Sequence, residues 1–75
     1  MTKRTALGKA IRAIRIAQGR AAAEFATACQ ISDSHLHNIE ANRRAPSPEH
    51  LAAIAAALGV ELDAISYVTE TEAAA

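Results

Sequence analysis

Asp33, Ser34, His35 and Asn38 place a carboxylate, a hydroxyl, an imidazole and a carboxamide within six consecutive positions. On a helix, positions 34 and 38 are four apart and 35 and 38 three apart, so these groups gather on one side. They suit hydrogen bonding to the edges of nucleobases. Asn38 can pair bidentately with adenine, Asp33 can accept from a cytosine amino group, and Ser34 can take either role. Asp33 reads equally as a helix-start charge, and His35 as either a base contact or a solvated imidazole. His37, two residues further on, diverges from His35 and falls nearer a nucleic-acid backbone. Arg43 and Arg44 follow directly, as phosphate-contacting cations or as a solvated basic loop.

Other chemistries find no support. In 75 residues there is no acid, base and nucleophile set and no room for a deep cleft, so no enzyme is expected. His35, His37 and His50 lack metal-ligand spacing, and no cofactor or small-molecule ligand is expected. Cys29 is the single cysteine; it cannot form an internal disulfide and reads as a small core hydrophobe. No apolar run approaches the ~18 residues that span a bilayer, and no signal peptide opens the chain, so the cytoplasm is expected and no membrane partner.

The charge balance first argues against a polyanion partner, because eight basic and eight acidic side chains cancel. Their distribution reverses that argument. Residues 1–44 hold all the basic side chains and three acids, a net of +5, while residues 45–75 hold five acids and no Lys or Arg. One half of the chain is therefore suited to face a polyanion.

The elements that must position these side chains are helical. The composition is rich in alanine, poor in glycine and patterned with a 3.6-residue period. A first helix is expected from near Thr5, with Leu7, Ala10, Ile11, Ile14 and Ala17 as its inner stripe and Gly19 as its left-handed terminator. A second covers about 21–29 and has no capping oxygen at its start; Phe25, Ala26 and Cys29 face inward. A third is capped by Ser32, buries Leu36 and Ile39 and ends near Asn42. Ser47-Pro48-Glu49 announces a fourth, with Leu51, Ile54, Ala55 and Leu58 inside and Gly59 at its end. A short fifth helix spans about 62–66; Tyr67-Val68-Thr69 has β character, and 67–75 form a tail that frays after position 70. The whole chain is one domain, with the helical unit at 5–66.

Two short helices meeting at a small residue, Ala26, with Phe25, Cys29, Ile31, Leu36 and Ile39 at the other inward positions, form the pattern of a helix-turn-helix. In that motif the second helix enters the major groove of DNA by its N-terminal end. At this point residues 7–65 resemble, without a gap, the Cro/cI-type (Xre) helix-turn-helix family. The matching residues are Leu7-Gly8, Ile11-Arg12, Ile14-Arg15, Gly19, Glu24-Phe25-Ala26, Ile31-Ser32, Leu36, Ile39-Glu40 and Pro46-Ser47. Leu51, Ile54-Ala55, Ala57-Leu58-Gly59-Val60 and Leu62-Asp63 complete them. The resemblance implies an all-α bundle of about five helices, like the lambda-repressor domain, with Arg15 and Glu40 as a structural ion pair.

The chain also departs from the family. Ala21 and Ala22 stand where the family has Ser/Thr and a phosphate-anchoring Gln, which leaves only backbone N–H groups at Ala22 for that contact. Arg20 replaces an apolar residue and becomes a candidate phosphate contact. Gln30 stands where the family favours Gly, so either it adopts positive φ at ~1 kcal/mol or the turn differs. Lys3 and Arg4 form either an arm along DNA or a disordered end.

The resemblance implies a regulator that binds a double-stranded DNA operator, acts as a repressor and pairs as a homodimer on an inverted repeat. Leu62, Ile65, Tyr67 and Val68 either form the pairing surface or finish the monomer core. A phage Cro-like repressor, a restriction-modification controller and an antitoxin-type autoregulator all fit a bare domain, the first best. The competing class is a protein-interaction module that kept the fold and lost DNA binding.

Overall fold

The order of elements is β1 (Thr2–Ala6), α1 (Gly8–Ala17), α2 (Ala22–Ala28), α3 (Asp33–Glu40), α4 (Pro48–Leu58), α5 (Leu62–Ile65) and β2 (Ser66–Glu70). This computed structural model describes residues 2–70; the expected fraying at 71–75 lies outside the described residues. Among the described residues five helices are present, as the lambda-repressor-like expectation requires, and a two-stranded sheet is added to them. β1 and β2 pair antiparallel, with Thr2 opposite Glu70 and Ala6 opposite Ser66.

The sheet corrects the expected chain ends. The β-favouring run Tyr67-Val68-Thr69 draws the N-terminal residues into a ladder that satisfies the backbone groups of both segments. The first helix therefore starts at Gly8 and not near Thr5. Lys3 and Arg4 stand opposite Thr69 and Val68, so neither a free arm nor a disordered end describes them. An Arg4 Nη1–H donates to Asp63 Oδ1 at 2.8 Å and to Ser66 Oγ at 3.1 Å, fastening β1 to the α5–β2 corner.

Ile11, Phe25, Ala26, Cys29, Leu36, Ile39, Leu51, Ile54, Ala55, Leu58 and Ile65 form one buried cluster. Each fully buried Ile, Leu or Phe contributes about 1.5–3 kcal/mol relative to exposure. Aliphatic packing dominates, because Phe25 is the one phenylalanine of the chain. The inner face of α1 differs from the expected stripe. Gly8, Ile11 and Arg15 are buried, whereas Leu7 is 38% exposed and Ala17 faces solvent. The reason is the close approach of α3: a Cβ on Gly8 would lie 2.3 Å from the Ile39 carbonyl oxygen and 2.8 Å from that of Glu40.

Local chemistry explains the turns. Ser32 Oγ accepts from the His35 backbone N–H at 3.0 Å, and Ser47 Oγ from the His50 backbone N–H at 3.1 Å. Gly19 and Gly59 each have φ of 71° at helix ends, as their positions predict. Gln30 has φ of 63°, so the turn keeps the left-handed geometry without a glycine. Asn42, at φ of 62°, ends α3 and turns its Oδ1 back to accept from the Gly8 N–H at 3.0 Å. No helix among the described residues is long and apolar enough to cross a membrane.

Candidate nucleic-acid interface

Ser32 starts α3 and the inward residues Leu36, Ile39 and Glu40 orient it, which leaves its opposite side to solvent. Asp33 and Ser34 are exposed there, and Asn38 is half-buried beside them. The C-terminal turn folds over this side. Backbone N–H groups of Arg43 and Arg44 donate to the Asn38 carbonyl at 2.8 and 3.3 Å, so both arginines follow the helix closely and remain exposed. Arg43 Nη1 donates to Asn38 Oδ1 at 3.4 Å, a long contact that leaves the carboxamide free to exchange partners.

The helix is held on α1 by a buried, bidentate ion pair. Arg15 Nε donates to Glu40 Oε2 at 2.8 Å and Nη2 to Oε1 at 3.1 Å, with both residues 8% exposed. A third donor, Nη1, reaches the Arg20 carbonyl at 2.8 Å and ties the pair to the α1–α2 loop. The hydrogen bond with Glu40 raises the Arg15 pKa above its ordinary value against the opposing effect of burial. Such a pair orients α3, and removing one partner leaves a buried charge at a cost of about 3–5 kcal/mol.

Not every expected phosphate contact is available. Arg20 is a correction: its guanidinium lies 5.0 Å from the Phe25 ring centroid and its Nη1 donates to the Ala57 carbonyl. Its chain therefore braces α2 against α4, because the ring face and the carbonyl both attract a cation that would otherwise stay hydrated. Ala22 opens α2 and is exposed, and Ala21 supplies no side-chain cap to the backbone N–H groups there. His37 is exposed and lines a groove of about 420 Å³ between α1 and α3 with Lys9, Arg12, Ala13, Glu40 and Ala41.

Ile65 is a second correction. It is 0% exposed, packed into the monomer core, so it has no surface to give to a second copy. Leu62 is half-buried, while Tyr67 and Val68 are 51% and 50% exposed on β2. Cys29 is 2% exposed, and burial raises its thiol pKa despite the nearby charge of Arg20, which keeps it protonated. Among the described residues no three His, Cys, Asp or Glu side chains gather as a metal site.

The sequence reading misses one member of this region. His35 meets His50 of α4 edge to face, with ring centroids 5.1 Å apart and an interplanar angle of 81°. The sequence signal is a repeated spacing: Ser32 precedes His35, and Ser47 precedes His50, by three positions, which puts each imidazole in a capped first turn. Only packing brings the two turns together.

Two short helices joined through a left-handed residue, with the second clamped by a buried ion pair and its polar side outward, define a helix-turn-helix domain. The family profile described as helix-turn-helix matches residues 11–65, and the chain belongs to this Xre-type helix-turn-helix family. Among solved structures it is similar to the clp gene regulator ClgR from Corynebacterium glutamicum, at 34% identity and a TM-score of 0.72 over 75% of this chain. The chain spans 60% of that ClgR chain. It is also similar to the master regulator for biofilm formation SinR in complex with DNA, at 29% identity and a TM-score of 0.72, covering 77% of this chain and 97% of that one. The restriction-modification controller protein C.AhdI from Aeromonas hydrophila shares the fold, with a TM-score of 0.73 at 24% identity over 76% of this chain and 86% of that one. No curated protein matches the chain.

Proposed function

We propose that this protein is a sequence-specific double-stranded DNA-binding transcription repressor of the cytoplasm, with α3 in the major groove. The carrying observation is the outward polar row of α3 on a helix clamped by Arg15 and Glu40, with Arg43 and Arg44 at its end. In this reading Asp33, Ser34 and Asn38 contact base edges, with His35 at the margin of that face. Arg43, Arg44, His37 and the Ala22 backbone N–H contact phosphates. The similarity to a SinR–DNA complex supports the reading.

One such helix is too small to select a site alone, so the reading includes a homodimer on an inverted repeat, with recognition helices about 34–36 Å apart. Tyr67 and Val68 supply its exposed apolar surface, with Leu62 at the margin. A phage Cro-like repressor is the form we favour over a restriction-modification controller or an antitoxin-type autoregulator.

The loss of Arg20 as a free cation, together with Ala22 in place of a side-chain anchor, favours a second reading: a protein-interaction module with little DNA affinity. A salt titration on random duplex separates the two. A binder contacting several phosphates loses affinity with a log–log slope of about −0.9 per phosphate neutralised. Absence of binding at low salt leaves the interaction module.

A further inference from the structure

The first turns of α3 and α4 bring two imidazoles together. His35 and His50 occupy equivalent places, the third residue of a capped helix, with their backbone N–H groups held by Ser32 Oγ and Ser47 Oγ. Their rings meet at 5.1 Å and both residues are half-buried. Arg44 is exposed in the loop that joins the two helices. We propose that His35, His50 and Arg44 form a phosphate-binding cluster that takes up a proton as DNA docks, so that affinity for duplex rises as pH falls. This inference rests on the DNA-binding reading above and adds His50 to it.

The argument is electrostatic. In the free protein, a proton on His35 meets a second imidazole, the Arg44 charge and the positive end of α3. Partial burial first, then Arg44 and His50, hold the His35 pKa below its ordinary value. The carboxylates nearest the pair in sequence are Asp33 and Glu49, in the first turns of α3 and α4, and both are exposed to solvent. A phosphate brought against Arg44 neutralises the charge that opposes protonation and adds one that favours it. Proton uptake then accompanies binding over the interval between the free and bound pKa values. Affinity grows as pH falls through that interval and levels off on either side.

The test uses the full chain and a fluorescein-labelled duplex of random sequence, at constant ionic strength, from about pH 8 to pH 6. Uptake of one proton raises affinity by up to about tenfold per pH unit, and a three- to tenfold rise across the range is the expected result. His50→Gln and His35→Gln flatten the dependence. A measurement on the unaltered protein guards against misfolded variants: the imidazole C–H resonances of His35 titrate at higher pH in the complex than in the free protein. If wild type binds duplex but shares one pH dependence with His50→Gln, or if the His35 imidazole does not shift, the cluster is overturned and the DNA reading stands. If wild type fails to bind at every pH even at low salt, the DNA reading falls and this inference with it.

Discussion

Asn38 and Arg43 touch one another at 3.4 Å, yet the reading assigns them different tasks. Asn38 presents a carboxamide that can match one base, whereas Arg43 presents a charge that any phosphate satisfies. Asn38→Ala is therefore expected to cost about 1–3 kcal/mol on a selected operator and to relax preference at one base pair. Arg43→Ala is expected to weaken operator and random duplex alike and to make the salt slope shallower by about one. Fluorescence anisotropy on both duplexes at several salt concentrations reads these outcomes; an equal loss for Asn38→Ala on both would remove it from the base contacts. Gly8 matters at the same scale for a steric reason. Ala at this position sets a methyl group against the carbonyls of Ile39 and Glu40 and the Asn42 side chain, at 2.3–2.8 Å. The expected loss of stability is about 1–3 kcal/mol, measured by urea denaturation, because only a shift of α1 away from α3 relieves the overlap.

At the scale of elements, α2 and α3 are joined through Gln30 at φ of 63°, a conformation that glycine adopts without a Cβ penalty. Gln30→Gly is expected to gain about 0.5–1 kcal/mol in unfolding free energy, the relief of strain exceeding the added entropy of the unfolded chain. An unchanged or lower denaturation midpoint would show that the turn carries no strain. Both capped helix starts were legible in the sequence, since Ser32 and Ser47-Pro48-Glu49 act through bonds within four residues. The start of α1 was not, because it depends on Asn42 and on the Ile65 carbonyl, which accepts from the Leu7 N–H at 2.8 Å, and both lie far along the chain. Arg20 was misread for the same reason: its spacing suits a loop cation, and only the packing of α2 against α4 supplies the Phe25 ring and the Ala57 carbonyl together.

For the whole molecule, the two-stranded sheet joins the chain ends and leaves Tyr67 and Val68 half-exposed at the end opposite in sequence to the basic half. A β2 strand with apolar, uncharged residues at its centre is suited to pairing with another copy. Val68→Lys is expected to shift a dimer toward monomer in sedimentation equilibrium and to lower affinity for an inverted-repeat operator more than for an isolated half-site. A wild-type protein that is monomeric both free and on its operator would dismiss the pairing. Ile65→Ala, by contrast, is a core deletion and speaks only to stability.

The sequence by itself determined the family, the helical periodicity, the capped turns and the polar row of α3, because each rests on residue type and short spacing; the Arg15–Glu40 pair, whose partners lie 25 residues apart, was implied only by the family resemblance. The formal neutrality likewise resolved into a basic half and an acidic half by reading along the chain. Tertiary structure alone decided that β1 pairs with β2, that Arg20 braces α2 against α4, that Ile65 is buried in the core, and that His35 meets His50. Those outcomes depend on which distant segments compete for the same carbonyl, ring face or backbone ladder, and that competition is settled only when the whole chain packs.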